Sequence, residues 1–551
     1  MPIKINHFRR DFNQWSLLLV AIGLFISIPL FSIALNLFDG AGEMWEHIVA
    51  YFLLDYIFNS VVLIIGTGLL SSTIGVSTAW IVSKYDFTGR RLLEWLLFLP
   101  LAIPSYILAY AYVGLLGNGG TLINGLNWLG ISIKKIELMN LYGLIWVLSL
   151  SLFPYIYAGT RTLFQSLPTT IRDTAFLLGA SSRRYFFSVA LPLALPALIG
   201  GLFLVFMEVL NDYGAAKYYG INTFTTGIFR TWTALEDLPS AIYLSGLLVV
   251  LVLGLISLSR WLRGRKSYTV KLDTAPSRQS VRVPLTGYKR LFYPLIVALP
   301  VLFGFLLPLA QLLYWAMLTY PSIFRLRLLW TALQSFGVAI AAALLIVLTA
   351  LAIIYCARWN NIRGLRSFAR LSTIGYVIPG AIIGIGVISS SQTIIDFFSR
   401  NFQLQIGYLF YGSSIVLVYA YVFRFLAVAY NPIEANTLKV GKKLSEASYL
   451  LGMGRLKTLV KVDLPLLRST LISALLLVFI DVLKELPLTL ILKPYDLDTL
   501  AVTAYAYADD ELVAESSLPA LLLILLIGGL IIVLNNRKLV RDENTGNTRP
   551  V

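Results

Sequence analysis

"DTAFLLGASSRRYFFSVALPL" (173–193) and "EASYLLGMGRLKTLVKVDLPL" (446–466) interrupt a very apolar chain twice with one pattern. Each reads acid, two small residues, three others, Gly, nine residues, Val, one residue, Leu-Pro. In each, apolar residues at three-to-four spacing predict a short helix, and Gly179 or Gly452 then supplies a turn that other residues resist. A basic amphipathic piece follows, and Leu-Pro opens the next helix, where proline is tolerated at the first turn. The expected product is a small helix lying along the membrane surface. One such helix needs no purpose beyond anchoring a loop. Two with identical spacing imply a shared one.

What surrounds the two stretches sets their context. The 551 residues are 58% hydrophobic and 13% charged, with mean hydropathy +0.78, whereas roughly 25% charged is usual in soluble domains. Apolar runs long enough for a bilayer, about 20 residues each, recur near 15–36, 57–83, 95–117, 141–163, 190–210 and 240–261. Six more fall near 291–318, 329–356, 371–391, 409–428, 464–483 and 516–535. The expected fold is an all-α polytopic membrane protein with about 12 transmembrane helices. The first run is too long for a signal-peptide core and lacks a small-residue cleavage site, so it is expected to stay as a span.

The net charge of +16 is distributed by side. Lys and Arg gather in alternate loops, at "KINHFRRDF", "SKYDFTGRRLLEW", 260–273, "RWNNIRGLRSFAR" and both quoted stretches. The intervening loops are mixed or acidic. The positive-inside rule places both termini, the middle linker and both quoted stretches in the cytoplasm. The charge thus reports topology and not a nucleic-acid partner. The lone Cys356 excludes an internal disulfide and a cysteine-cluster metal site. With only His7 and His47, no stable metal site is expected. No phosphate-binding G-x-x-x-x-G-K-[ST] loop occurs, so the chain is not expected to hydrolyse ATP itself.

The chain is duplicated. Gly179 and Gly452 are 273 residues apart, as are Pro192 and Pro465; Pro104 and Pro379, and Gly89 and Gly364, are 275 apart. The hydrophilic stretch 262–289 reads as a cytoplasmic linker between a first transmembrane domain, 1–261, and a second, 290–551. Six spans on each side give both halves the same orientation, which makes them parallel repeats about an axis along the membrane normal.

The pattern resembles the coupling loop, acid-Ala-Ala-x3-Gly-x9-[Ile/Val]-x-Leu-Pro, of binding-protein-dependent ABC importer permeases. It stands here as Asp173, Thr174, Ala175, Gly179, Val189, Leu191 and Pro192, then as Glu446, Ala447, Ser448, Gly452, Val462, Leu464 and Pro465. Asp replaces Glu in the first copy, and Thr or Ser replaces one Ala, with size kept. The resemblance implies that each loop seats in a groove of an ATP-binding subunit and couples its closure to the spans. It further implies two copies of that subunit, an extracytoplasmic binding protein, ATP and Mg used by the partner rather than bound by this chain, and residence in a bacterial inner membrane among lipid. "NDYGAAKYYGINTFTTGIFRTW" and "KELPLTLILKPYDLDTLAVTAYAYA" look like segments of fused ferric-iron permeases. Relatives of similar architecture carry thiamine, polyamines, sulfate or phosphonates.

For a substrate path, Glu208 and Asp212 are four apart, as are Asp481 and Glu485, so each pair is expected on one helix face near the end of a span. With Tyr213 they offer oxygen donors to a hard cation. The bland alternative is solvated charges paired with Lys484 or Lys217. A major-facilitator-like secondary transporter is a second alternative, since "YDFTGRR" resembles that family's loop. It lacks mid-span acids for a proton relay and leaves the twin loops unexplained. A membrane enzyme finds no nucleophile–base constellation.

Overall fold

The computed structural model describes residues 13–117, 119–131, 136–263, 282–360, 362–410, 413–441 and 443–546. Among them, eleven helices are long and apolar enough to cross a membrane. Six precede the linker: Gln14–Asn36, Leu53–Lys84, Ser105–Trp128, Leu141–Ser166, Ser182–Asn211 and Leu238–Leu262. Five follow it: Lys289–Ile323, Leu326–Arg358, Gly380–Phe402, Ser414–Val440 and Arg455–Leu483. A twelfth helix, Ser517–Gly546, is apolar over Ser517–Ile532. The protein is all-α and polytopic. Most of the expected linker, at 264–281, and both chain ends lie outside the described residues.

Two spans differ from expectation, for the same reason. The run at 95–117 is a short helix Arg90–Leu96, a 3-10 turn Leu99–Ala102 and only then a helix opening at Ser105. The run at 371–391 is likewise a helix Arg363–Leu371, a 3-10 turn Ile374–Val377 and a helix opening at Gly380. Proline rings at 104 and 379 exclude the preceding residue from helical geometry. Ile103 (φ −98°, ψ 112°) and Ile378 (φ −93°, ψ 126°) are accordingly extended. Hydropathy reads straight through both breaks. Each break places a helix N-terminus inside the protein.

Each half has a core of three crossing helices: spans two, four and five, then eight, ten and eleven. The first span of each half packs against the opposite half. Span one meets spans eight and nine through Ser16 Oγ donating to Asn360 Oδ1 (2.8 Å), Ser32 against Ser389 (2.9 Å) and Trp15 against Trp359 (4.6 Å between rings). Span seven meets the first half where Tyr112 donates to the Phe303 carbonyl (2.8 Å) and Thr121 to Gln311. Hydroxyls and rings are the adhesives available where lipid removes the hydrophobic drive between helices. The lobes are thereby laced together.

The loop after span two meets both the linker's end and the first glycine loop. Tyr85–Asp86, between spans two and three, pairs in parallel with Val283–Pro284 at the linker's end. Lys84 Nζ lies 5.9 Å from the Tyr185 ring of the first glycine loop.

Candidate functional site

Both quoted stretches fold with the expected short helix, glycine turn and Leu-Pro helix start. Helices Thr169–Leu177 and Lys443–Leu450 each end in a left-handed glycine, Gly179 (φ +81°) and Gly452 (φ +83°). Gly179 N–H donates to the Phe176 carbonyl (2.9 Å) and Ala180 N–H to that of Ala175 (3.0 Å). In the second copy Gly452 donates to Tyr449 (3.0 Å) and Met453 to Ser448 (3.1 Å). These are two Schellman caps. A Cβ at either glycine would meet nothing within 4 Å, so the positive φ alone requires glycine there.

Short helices Ser182–Tyr185 and Arg455–Thr458 follow, then five-residue π turns, Phe186–Ala190 and Leu459–Asp463. Leu191–Pro192 and Leu464–Pro465 open the next helix. Each proline lacks the N–H that would bond the carbonyl four residues back, and the chain widens there. Asp173, Thr174, Glu446 and Ala447 are exposed, Ala175 is half-buried and Ser448 buried. At the tips stand Leu177 (88% exposed), Leu178 (82%), Leu450 (90%) and Leu451 (81%). The two loops thus carry matched exposed leucine tips.

The path candidates also come together. Glu208, Asp212, Tyr213, Asp481 and Glu485 all line one narrow cavity between the halves, about 70 Å³ in volume. Their arrangement corrects two expectations. The pairs do not share helix faces, because the helices end at Asn211 and Leu483 and leave Asp212 and Glu485 beyond them. Nor are these solvated charges. Glu485 pairs with Arg424 at 3.2 Å, with the two side chains 5% and 6% exposed. Asp481 pairs with Lys484 at 2.9 Å, and Lys484 also reaches Tyr155 at 3.4 Å. Lys217, the other partner considered, pairs instead with Asp509.

The two halves build this cavity with equivalent positions and different chemistry. Asp212 Oδ1 accepts from Ala216 N–H (3.0 Å), and Glu485 Oε1 from Leu488 N–H (3.1 Å), each capping the short helix that follows it. Asp212 also accepts from Ser105, at the N-terminus freed by Pro104. Its counterpart Gly380 keeps no side chain, since a Cβ there would lie 2.7 Å from Glu485 Oε1. Gly380 N–H donates across the halves to Asn211 Oδ1 at 2.8 Å. Ser151 in the first half bonds the Ile103 carbonyl (3.4 Å), while Arg424 in the second bonds that of Ile378 (3.1 Å). Both cations, Arg424 and Lys484, thus come from the second half.

Four carboxylates face two cations, and the helix N-termini at Ser105 and Gly380 lend partial positive charge. Among the described residues, no three His, Cys, Asp or Glu side chains converge as metal ligands. The arrangement is a cavity lined by carboxyls and cross-linked by two ion pairs. Arg424 escaped the sequence reading although a lone charge inside "YVFRFLAVAY" is a recognisable signal. Ser105, Asn211 and Tyr155 had none.

The sequence has relatives among known proteins. Residues 71–262 and 349–538 each match the family of "binding-protein-dependent transport system inner membrane component", leaving out the two swapped first spans. An Fe(3+)-transport system permease protein of Haemophilus influenzae is 23% identical over 525 residues, 93% of this chain and 96% of that protein. A molybdenum transport system permease protein of Escherichia coli is 30% identical over 176 residues, 32% of this chain and 72% of that protein. A probable sulfate transport system permease protein of Prototheca wickerhamii is 27% identical over 157 residues, 28% of this chain and 59% of that protein.

Proposed function

Since the chain belongs to the family of binding-protein-dependent transport system inner membrane components, we propose that it is the fused permease subunit of an ATP-driven importer of iron(III). It is a multi-pass protein of the bacterial inner membrane, and its family works with ATP-binding and substrate-binding partners. In this reading two ATP-binding subunits dock, one on each leucine tip, at Asp173–Gly179 and Glu446–Gly452. Both termini and the linker lie on that cytoplasmic face. The lobes 1–261 and 290–551 then rock about the cavity, and an extracytoplasmic binding protein delivers the ion. ATP and Mg act on the partners; the chain itself holds no cofactor.

The observation that carries the substrate is the charge of the cavity. Glu208, Asp212, Asp481 and Glu485 outnumber Arg424 and Lys484, and the two cations are already engaged by carboxylates. Such a lining offers oxygen donors to a multivalent cation, while both of its cations are already taken, which disfavours an anion such as the sulfate named in one partial relative. The relative that matches along nearly the whole chain is an Fe(3+) permease, which supports the same substrate.

The test is uptake of radiolabelled iron(III), with molybdate and sulfate in parallel, by cells lacking the gene and regaining it. Iron uptake is expected to return with the wild type. It is expected to fail with Gly179→Val plus Gly452→Val, because valine in the left-handed region costs roughly 1–2 kcal/mol at each cap and reshapes both tips. Rescue of an oxyanion alone would overturn iron(III) and keep the importer. Wild-type uptake by the double variant would overturn the coupling role.

A further inference from the structure

Beyond the central cavity, on the side away from the glycine loops, a second group of oxygens gathers where the halves meet. The helix opening at Ser105 brings Tyr106 to the cavity and Tyr110 one turn further on. Tyr110 is 1% exposed, and its phenol oxygen has no hydrogen-bond partner. A buried hydroxyl without a partner lowers stability, and phenylalanine would fill the same space without that loss. Packing therefore does not account for the phenol.

Its surroundings do. The Tyr110 ring lies 4.5 Å from that of Tyr218, and its helix meets the second half's helix Leu500–Asp509, where the Tyr106 O–H donates to the Ala501 carbonyl at 3.5 Å. From the second half, Tyr505 donates to Asp509 at 3.3 Å, and its ring stands 5.8 Å from Tyr213, which also lines the central cavity. A cation already sits among these groups. Lys217 Nζ is 2.8 Å from Asp509 and lies over the rings of Tyr213 (5.9 Å) and Tyr505 (5.6 Å). Lys217 and Asp509 are 43% and 42% exposed, so the group opens to one side.

We propose that Tyr110, Tyr213, Tyr505 and Asp509 form an outer station that receives iron(III), displaces Lys217 from Asp509 and hands the ion to the carboxylates of the central cavity. The station rests on the iron(III) reading above. Phenol and carboxylate oxygens are hard donors matched to a hard ion. Phenols also discriminate, because a trivalent ion displaces the phenolic proton, here to water at the open side by Lys217 and Asp509, far more readily than a divalent one. Tyr213 spans the two sites and gives the ion a continuous oxygen path.

The test uses the purified full-length protein in lipid nanodiscs, with iron(III) supplied as its nitrilotriacetate complex. Wild type is expected to develop the visible charge-transfer absorption of an iron(III)–phenolate bond, which gallium(III) in the same chelate does not produce. Tyr110→Phe with Tyr505→Phe leaves Tyr213 as the one phenol of the station, so the band is expected to weaken and iron uptake in cells to fall. Tyr110→Phe alone is expected to unfold at a temperature no lower than wild type. Lys217→Met, lacking the competing ammonium, is expected to develop the band at lower iron(III). Absence of the band in a protein that restores iron uptake, or full uptake by the double phenylalanine variant, would overturn the station and leave the iron(III) reading standing. Absence of iron uptake by the wild type itself would remove both.

Discussion

In the first half the glycine loop rests on rings; in the second it is tied by oxygens and a guanidinium. Trp80, at the end of span two, packs on Phe164, Tyr185 and Phe186 at 5.2, 6.0 and 4.8 Å, and Lys84 lies 4.8 Å above the Trp80 ring. At the matching place, Arg358 donates to the Gly441 carbonyl (2.5 Å) and Ser445 Oγ (3.2 Å). Ser445 in turn donates to Asp463 (2.9 Å), and Ser448 bonds Thr458 (2.8 Å). Even the hinge into the loop differs. Pro168 (φ −59°, ψ 138°) leads into the first, and Gly441 (φ +75°, ψ −166°) into the second, 273 residues on. Two anchoring chemistries hold one backbone and one exposed tip. The shared feature is thus the shape offered to the outside, and the interior was free to diverge. The anchors should also fail differently, since packing is lost by degrees whereas a buried polar network is left with orphans.

The largest expected effects come from cutting the anchors. Trp80→Ala removes three ring contacts and is expected to destabilise the first loop by about 3 kcal/mol. Arg358→Ala leaves the Gly441 carbonyl and the Ser445–Asp463 pair short of a donor, for about 2 kcal/mol in the second. Amide hydrogen exchange should quicken over 169–190 in the one variant and over 443–463 in the other. Opening of both loops by either variant would break the comparison and make them one cooperative unit.

A middle-sized effect contrasts two ion pairs on the same face. Glu94 is held by Arg90 at 2.5 Å, by Arg161 and by Gln165 at 3.0 Å, and is nearly buried. In the second half Glu434 meets Arg370 at 3.2 Å, with the arginine 66% exposed. Glu94→Gln is expected to cost about 2 kcal/mol and Glu434→Gln less than about 1 kcal/mol. Burial pushes the Glu94 carboxyl up, but Arg161, Arg90 and Gln165 together hold it below its ordinary value of 4.5. Because the folded value is the lower one, the stabilisation is complete above that ordinary value and is lost as pH falls below it. Thermal unfolding between neutral pH and about pH 3.5 should therefore show wild type losing more than Glu94→Gln. Equal acid sensitivity would show that Glu94 does not carry it.

The smallest effect on stability should be the most damaging to transport. Leu177→Ser with Leu178→Ser, or Leu450→Ser with Leu451→Ser, should change stability by less than about 0.5 kcal/mol because these side chains touch little. Uptake should fall in both pairs. Undiminished uptake in either would show that its tip is not a docking surface, and a difference between them would rank the two halves as drivers.

Much of this was legible from the chain alone. Apolar run lengths, the twin Gly-x9-Val-x-Leu-Pro spacing and the offsets of 273 and 275 dictated a duplicated bundle and both Schellman caps, because these depend on local conformation and on the transfer of each residue from water. The carboxylates were identified, but their state was not. That Glu485 faces Arg424, that Asp212 meets Ser105, 107 residues away, and that Asn211 bonds Gly380, 169 residues away, are contacts between positions far apart in the chain. The swapped first spans and the breaks at Pro104 and Pro379 were likewise decided only in three dimensions. Hydropathy is additive and local, whereas the choice among equally apolar helix faces is made by shape, by hydroxyl partners such as Ser32 and Ser389, and by where a buried charge finds its opposite.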